Sequence, residues 1–338
     1  MKAGLTLGLI LGCLVTGAQA DAAAAAGGPV RREEARYLMG TLVHVAAEAA
    51  DAPGAAAALA AAWTALERVD SLMSTWRDDS DLARVNAGAA AAPVVVDPET
   101  AGLVAAALDL AAASAGAFDP TVLPLMRAWG LRGGEPRRPP ADELAGLLAV
   151  TGFHLVTVDT LASTIAFARP GVALDLGGIA KGHALDRARA AMLSAGAAGG
   201  LLDLGGNLLV FGSAAGDSVA VVAPDDPGRT VAALAFGAGA VATSGQYERF
   251  VEIDGQPHGH ILDPRSGLPV ARAGSATVAA STGRLADALA TAVFVLGPEL
   301  GPAFAARFPG TTCVLVESDG DGGWTVVSRA APTAGRSP

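Results

Sequence analysis

The chain has 338 residues, of which 51% are hydrophobic and 17% are charged. This length is enough to bury a large core, either in one big domain or in two lobes. The formal net charge is −10, and an acidic surface repels phosphate backbones. The composition therefore argues against nucleic acid as a partner.

The N-terminus predicts export. Residues 5–15 form an apolar run that is too short to cross a bilayer, and residues 18–20 fit the small-x-small cleavage pattern. We interpret residues 1–20 as a signal peptide. In the alternative, Ile-Leu-Gly-Cys ending at Cys13 resembles a lipobox, and Cys13 carries a lipid that anchors the protein to the inner membrane. Both interpretations place the mature protein outside the cytoplasm, on the periplasmic side if the cell is Gram-negative, and no later run looks long and apolar enough to span a membrane.

Folded structure is predicted for residues 36–330. Residues 21–35 are rich in alanine and glycine and are expected to form a disordered linker, and residues 331–338 a disordered tail. Hydrophobic periodicity and capping signals predict a strand at 37–46, helices at 53–73, 97–116 and 141–149, and strands at 154–158 and 164–168.

The second half of the chain is predicted to be richer in strands. They are expected at 200–204, 207–211, 218–223, 231–236, 240–243, 247–253 and 275–280, followed by a helix at 283–296, a short helix, and a hairpin of 313–317 with 324–328. Helices and strands in mixed order, joined by hairpins, indicate an α+β fold with mixed or antiparallel sheets and packed helices, in a single large domain of two lobes.

Residues 173–186 combine an apolar run, two glycines and the start of a helix that carries Lys181 in its first turn. Glycines permit close approach, and a helix N-terminus favours anions. The spacing matches neither a Walker loop nor a dinucleotide-binding fingerprint. An anion site and a simple strand-to-helix connection are equally consistent with this stretch.

Asp287 and Thr291 are four residues apart in a predicted helix that is otherwise apolar. That spacing puts both oxygens on one helix face, where they suit Mg²⁺ completed by a carbonyl and by phosphate oxygens. On residue types alone, an aspartate favoured by the helix dipole is the simpler interpretation.

His258 and His260 precede an Asp-Pro turn, and a neutral histidine can remove a proton near pH 7. A zinc site is the rival interpretation, but a third ligand at typical spacing is missing. Trp76 precedes polar turn residues and could present its ring to a flat ligand, although such a tryptophan is more often part of the core.

The order of the motifs is more specific than any one of them. Together they resemble the FAD:protein FMN transferase family, also called ApbE, over about residues 36–330. The matching stretches are Met39-Gly40-Thr41, 74–86, 116–121, 174–182, 203–207, 243–245, 260–264 and 286–291.

The resemblance implies an ApbE-like fold and a reaction in which FMN passes from FAD to a threonine hydroxyl of a target flavoprotein, with Mg²⁺ as cofactor and AMP as product. The expected targets are flavin-carrying subunits of membrane redox complexes, of the Rnf or sodium-pumping NADH:quinone reductase type. A membrane contact of the chain itself is expected only through a lipid on Cys13.

The resemblance also implies roles for individual residues. The Ala180 carbonyl, Asp287 and Thr291 would hold Mg²⁺, Lys181 would hold phosphates, and His260 would be the base, with Asp287 as an alternative proton acceptor. The FAD pocket would be lined by Met39, Trp76, Ala117, Phe118, Asp119, Asp175, Lys181, Thr243, Ser244 and Ile261.

Two positions depart from the family pattern. The histidines that are often adjacent in the family are separated here by Gly259, and Gln246 stands where an acid is common. Two other functions stay open. One is an FAD pyrophosphatase that yields FMN and AMP, and the other is an exported flavin-binding protein without catalysis.

Overall fold

The computed structural model describes residues 28–216, 218–246, 250–321 and 323–330. The expected signal peptide, Cys13 and the C-terminal tail lie outside the described residues.

Strands occur along the whole described part of the chain, with helices between some of them. They are β1 (Val30–Leu38), β2 (Thr41–Ala49), β3 (Val94–Val95), β4 (Val156–Asp159), β5 (Thr164–Phe167), β6 (Gly199–Leu204), β7 (Asn207–Gly212), β8 (Ser218–Ala223), β9 (Asp226–Ala235), β10 (Gly239–Gly245), β11 (Phe250–Ile253), β12 (Gln256–Gly259), β13 (Leu262–Asp263), β14 (Leu268–Pro269), β15 (Gly274–Ala280), β16 (Thr312–Ser318) and β17 (Trp324–Ala330).

Most of the helices lie in the first two thirds of the chain. They are α1 (Ala52–Met73), α2 (Asp81–Gly88), α3 (Pro98–Ala113), α4 (Leu123–Ala128), α5 (Ala141–Leu148), α6 (Ala180–Ser194) and α7 (Gly283–Ala305), with 3-10 turns at Pro120–Val122 and Phe153–Leu155.

The main sheet has eight strands in the order β1-β2-β6-β7-β10-β15-β16-β17, and neighbouring strands are antiparallel. A smaller sheet has the order β3-β5-β4, and the remaining strands form two-stranded hairpins. The architecture is therefore α+β with antiparallel sheets, as the sequence predicts.

The core lies between the main sheet and the helices α1, α6 and α7. Alternate residues of the central strands, such as Leu202 and Leu209, join one large buried cluster with these helices. The opposite face of the sheet is covered by the β8–β9 hairpin, where Val241 packs with Val221 and Leu234. Each central strand is therefore covered on both faces, which explains its almost continuous apolar sequence.

The beginning of the chain corrects two predictions. Residues 30–35, expected to be disordered, belong to β1 and pair with β2 along its whole length. The single strand predicted at 37–46 is a hairpin instead, because Met39 and Gly40 both have positive φ (50° and 75°). Two consecutive positive φ values are typical of a two-residue type I′ turn.

Other differences arise where caps override periodicity. α2 was not predicted; Ser80 starts it by accepting a hydrogen bond from the Ala83 N–H. The helix predicted at 283–296 and the short helix after it form α7, which is interrupted at Gly297. The strand predicted at 154–158 begins at Val156, after a 3-10 turn, and residues 247–249 of another predicted strand lie outside the described residues.

α7 also corrects the prediction about membrane spans. Its length and composition would allow it to cross a bilayer, but 67% of its most apolar window is buried inside the protein. It packs on β10 and β15 as a core helix.

Candidate functional site

One end of the main sheet gathers several turns. β2 lies beside β6 with Val43 opposite Leu204, so the Met39 turn and the β6–β7 turn are close to each other. β10 runs antiparallel to β7 and brings Ser244 to the same end. β6 ends at this end of the sheet, so it begins at the opposite end. Because α6 directly precedes β6, the C-terminus of α6 lies at that opposite end and its N-terminus lies here.

The two-glycine corner of residues 177–178 connects a buried extended segment to α6. The Asn86 amide brackets that segment, since its oxygen accepts from the Leu174 N–H (2.7 Å) and its nitrogen donates to the Leu174 carbonyl (2.9 Å). A Cβ on Gly178 would lie 3.2 Å from both the Thr291 Oγ1 and the Phe118 ring. The absence of a side chain lets the corner approach α7 closely.

α6 and α7 each carry an aspartate that caps the N-terminus of the other helix. The Asp287 Oδ2 on α7 accepts from the Gly182 N–H in the first turn of α6 (2.9 Å). In return, the Asp186 carboxylate on α6 accepts from the N–H groups of Gly283 and Arg284 in the first turn of α7 (2.8 and 2.9 Å). The exchange joins two helix N-termini whose dipoles both favour negative charge.

The two helices are in backbone contact where they cross. A Cβ on Gly182 would overlap the Gly283 carbonyl, and a Cβ on Gly283 would overlap the Gly182 carbonyl. This contact sets the distance between α6 and the Asp287 side chain.

The Asp287 and Thr291 side chains both contact the corner region. Asp287 is 3% exposed, and its Oδ1 lies 3.9 Å from the Lys181 Nζ. The Thr291 Oγ1 is 3.2 Å from the Ser244 Oγ. Asp203, near the end of β6, has its pKa raised by burial, against the opposing effects of the Gly206 N–H and of His44 and Lys181.

The three expected ligands, the Ala180 carbonyl, Asp287 and Thr291, offer hard oxygen atoms but only one carboxylate. Within the described ranges no group of three or more His, Cys, Asp or Glu could hold a metal ion by itself. One carboxylate, one hydroxyl and a backbone carbonyl suit Mg²⁺ that takes its other ligands from phosphate and water. The donor set therefore fits the expected cofactor.

Trp76 stands at the rim of the site and is 70% exposed. The Arg132 guanidinium lies 5.7 Å from the centre of its ring and forms an ion pair with Asp175 (2.9 Å). The Asp175 Oδ1 also accepts from the Gly177 N–H (2.7 Å). Trp76 thus has a cation beside it and a solvent-exposed ring that a planar group can stack on.

Ala117, Phe118 and Asp119 form a buried wall beside the corner. The Asp119 carboxylate is taken up by local bonds, since it accepts from the Thr121 N–H and hydroxyl and from the Phe153 N–H. Burial raises its pKa, and these hydrogen bonds oppose the rise. Asp119 therefore acts on the shape of the wall through the turn that it holds.

The segment of His260 and Ile261 lies beside the end of β10. Ile261 is buried and His260 is half-buried. The Gln246 side chain, two residues after Ser244, hydrogen-bonds to both the N–H and the carbonyl of Ile261. His258 packs elsewhere, with its ring 5.6 Å from the ring of Trp129.

Thr243 is not brought to the site. Successive residues of a strand face opposite sides of a sheet, and Ser244 faces α7. The Thr243 hydroxyl therefore lies on the other face, where it is bonded to the Thr277 hydroxyl (2.9 Å). The assignment of Thr243 to the FAD pocket stays a prediction, and its side chain faces away from the Asp287 and Thr291 side of the sheet.

Sequence reasoning also missed three residues. The sequence alone gives no role to Arg132 or Asp186, and Gln246 stands out in it only as a departure from the family pattern. A carboxylate on the second turn of α6 was the one available signal for Asp186.

Comparison with known proteins gives consistent results. The ApbE family matches residues 39–315. A Treponema pallidum protein named FAD:protein FMN transferase is 35% identical over 281 residues, covering 78% of each chain. A Vibrio cholerae protein of the same name is 34% identical over 262 residues, covering 75% of this chain and 78% of the relative.

Solved structures agree with these sequence matches. The crystal structure of an ApbE protein from Thermotoga maritima superimposes with a TM-score of 0.78 and 32% identity, over 87% of this chain and 96% of that one.

Proposed function

Because the chain belongs to the ApbE family, we propose that it transfers FMN from FAD to a threonine hydroxyl of a target flavoprotein and releases AMP. The observation that carries the proposal is the position of Asp287 and Thr291, one helical turn apart and both against the corner where α6 begins. The expected target is a subunit of an Rnf-type or sodium-pumping NADH:quinone reductase-type complex.

The FAD pyrophosphate is proposed to lie at the corner, where the first turn of α6 and Lys181 favour negative charge. The Ala180 carbonyl, Asp287 and Thr291 would hold Mg²⁺. When bound, the metal neutralises charge that develops on the divided pyrophosphate.

The remaining residues orient the dinucleotide. Trp76 would stack on a ring of FAD, with Arg132 and Asp175 fixing its surroundings. Met39, Ala117, Phe118 and Ile261 would supply apolar walls.

In the transfer step, the acceptor oxygen bonds to the phosphorus of the FMN half as the bond from that phosphorus to the AMP oxygen breaks. His260 is the proposed acceptor of the hydroxyl proton, and Asp287 is the alternative. The electron pair of the broken bond leaves with AMP, so atoms and charge balance.

The deciding experiment is incubation of the full chain with FAD, Mg²⁺ and a target flavoprotein domain. Covalent flavin fluorescence on the target in a denaturing gel, with release of AMP, is the expected result. Free FMN and AMP without labelled target would indicate a pyrophosphatase, and bound FAD without turnover a non-catalytic flavin-binding protein. A target in which the acceptor threonine is replaced by valine is the matched control.

We also propose that the protein acts in the periplasm. The N-terminal pattern supports export, and the mass of the mature N-terminus distinguishes cleavage after Ala20 from a lipid on Cys13.

A further inference from the structure

Gln246 uses its whole amide to hold backbone groups that are distant in sequence. Its Nε2 donates to the carbonyls of Ile261 (2.9 Å) and Val270 (2.8 Å), and its Oε1 accepts from the Ile261 N–H (3.2 Å). The Val270 N–H also donates to the Ile261 carbonyl (3.0 Å). One side chain therefore fastens two strand-like segments to the end of β10.

Gly259 provides the space for this arrangement. A Cβ at that position would overlap the amide oxygen and amide carbon of Gln246. The two departures from the family pattern are therefore two halves of one contact.

The contact joins the two sides of the proposed site. On one side, Ser244, two residues before Gln246, touches the Thr291 hydroxyl. On the other side, Ile261 follows His260 directly. The backbone that carries His260 is held at a set distance from the Thr291 side of the site through Gln246.

We propose that Gln246 is a positioning residue that holds the His260–Ile261 segment against the site, and that Gly259 is the partner that makes room for it. The role in transfer rests on the proposed function, whereas the role in holding the segment rests on the hydrogen bonds alone.

The chemistry of the amide matters as well as its size. Gln246→Glu replaces the donor with a second acceptor, so a carboxylate oxygen would face the two carbonyls that the amide nitrogen now binds. Gln246→Ala removes all three hydrogen bonds and leaves the backbone groups of Ile261 without that partner. Gln256→Ala, at an exposed position of β12, is the matched control.

The first test is hydrogen exchange of the full chain without FAD or target. We expect the peptide that covers residues 260–263 to exchange about tenfold faster in Gln246→Ala and Gln246→Glu, and unchanged in Gln256→Ala. Unchanged exchange in both Gln246 variants would overturn the inference, whether or not the protein is a transferase.

The second test is a mutant cycle on the transfer reaction. Gly259→Ala displaces Gln246, and we expect both single variants to lower kcat about tenfold, with a smaller change in KM for FAD. The double variant Gln246→Ala/Gly259→Ala should be no slower than Gln246→Ala alone, because both changes remove one contact. Gly102→Ala, at a position with no atom near the added Cβ, is the control.

Additive losses in the double variant would overturn the positioning role. Loss of melting temperature without a change in kcat would do the same, since it would show that the contact only stabilises the fold. If the natural protein gave no labelled target at all, the proposed function would fail, and the exchange result would still decide what Gln246 holds.

Discussion

The N-termini of α6 and α7 contact each other but are capped by different groups. At the start of α7, the Thr282 hydroxyl accepts from the Leu285 N–H. The Asp186 carboxylate accepts from the N–H groups of Gly283 and Arg284. In α6, the N-cap Ile179 has no side-chain oxygen to offer, and the acceptor for Gly182 is Asp287. The start of α7 is capped by the side chains of Thr282 and Asp186, whereas the start of α6 carries Lys181 and a carboxylate suited to a cation. The same capping chemistry thus serves stability at one helix start and the proposed reaction at the other.

Changing the two aspartates is the most direct test of whether the two helix starts differ in function. Asp287→Asn keeps an oxygen for the Gly182 N–H but loses the negative charge, and we expect the transfer rate to fall at least about 100-fold. Labelling of the target measured against time, at saturating FAD and Mg²⁺, tests this.

Asp186→Asn is the matched variant on the other helix. It should lower the free energy of unfolding by about 1 kcal/mol and leave the transfer rate nearly unchanged. Equal loss of activity in both variants would show that the two helix starts do not differ in function.

Thr291 tests whether its hydroxyl is a ligand. Thr291→Val keeps the shape but removes the oxygen, and we expect roughly tenfold more Mg²⁺ to be needed for half-maximal rate. Thr291→Ser, which keeps the hydroxyl, should restore most of the natural Mg²⁺ dependence. A titration of the rate with Mg²⁺ measures both, and identical curves for Val and Ser would contradict the assignment.

Gly182 tests the crossing of the helices. Gly182→Ala forces a Cβ onto the Gly283 carbonyl, and we expect a loss of about 1–3 kcal/mol in the free energy of unfolding. Urea unfolding measures the loss, and Gly102→Ala should show none. A variant as stable as the natural protein would show that the two backbones can separate at little cost.

His183 gives the smallest expected effect. Burial lowers its pKa from the ordinary value of 6.5, against the opposing effect of its bond to Glu99 (2.9 Å). The unfolded chain therefore takes up a proton at a higher pH than the folded one. Because protonation favours the unfolded chain, the free energy of unfolding decreases as the pH falls below the ordinary histidine value. His183→Gln should flatten the fall in melting temperature between neutral and mildly acidic pH, and an unchanged profile would contradict the expectation.

The sequence could predict local relations better than distant ones. The spacing of Asp287 and Thr291 determines that they share a helix face, and this holds in the structure. The pairing of Gln246 with Gly259 and of Arg132 with Asp175 depends on how separate segments meet, which periodicity does not contain. Strand alternation predicts that the side chains of Thr243 and Ser244 face opposite sides of the sheet, and the structure places them so.

Glycines 182 and 259 are both confined, but by different neighbours. At Gly182 the obstacle is main chain, which every amino acid shares, so no change at position 283 can relieve it. At Gly259 the obstacle is one side chain, which a shorter residue at position 246 would withdraw. Among diverging descendants of this protein, we expect the first glycine to persist almost everywhere and the second to be replaced only together with its glutamine.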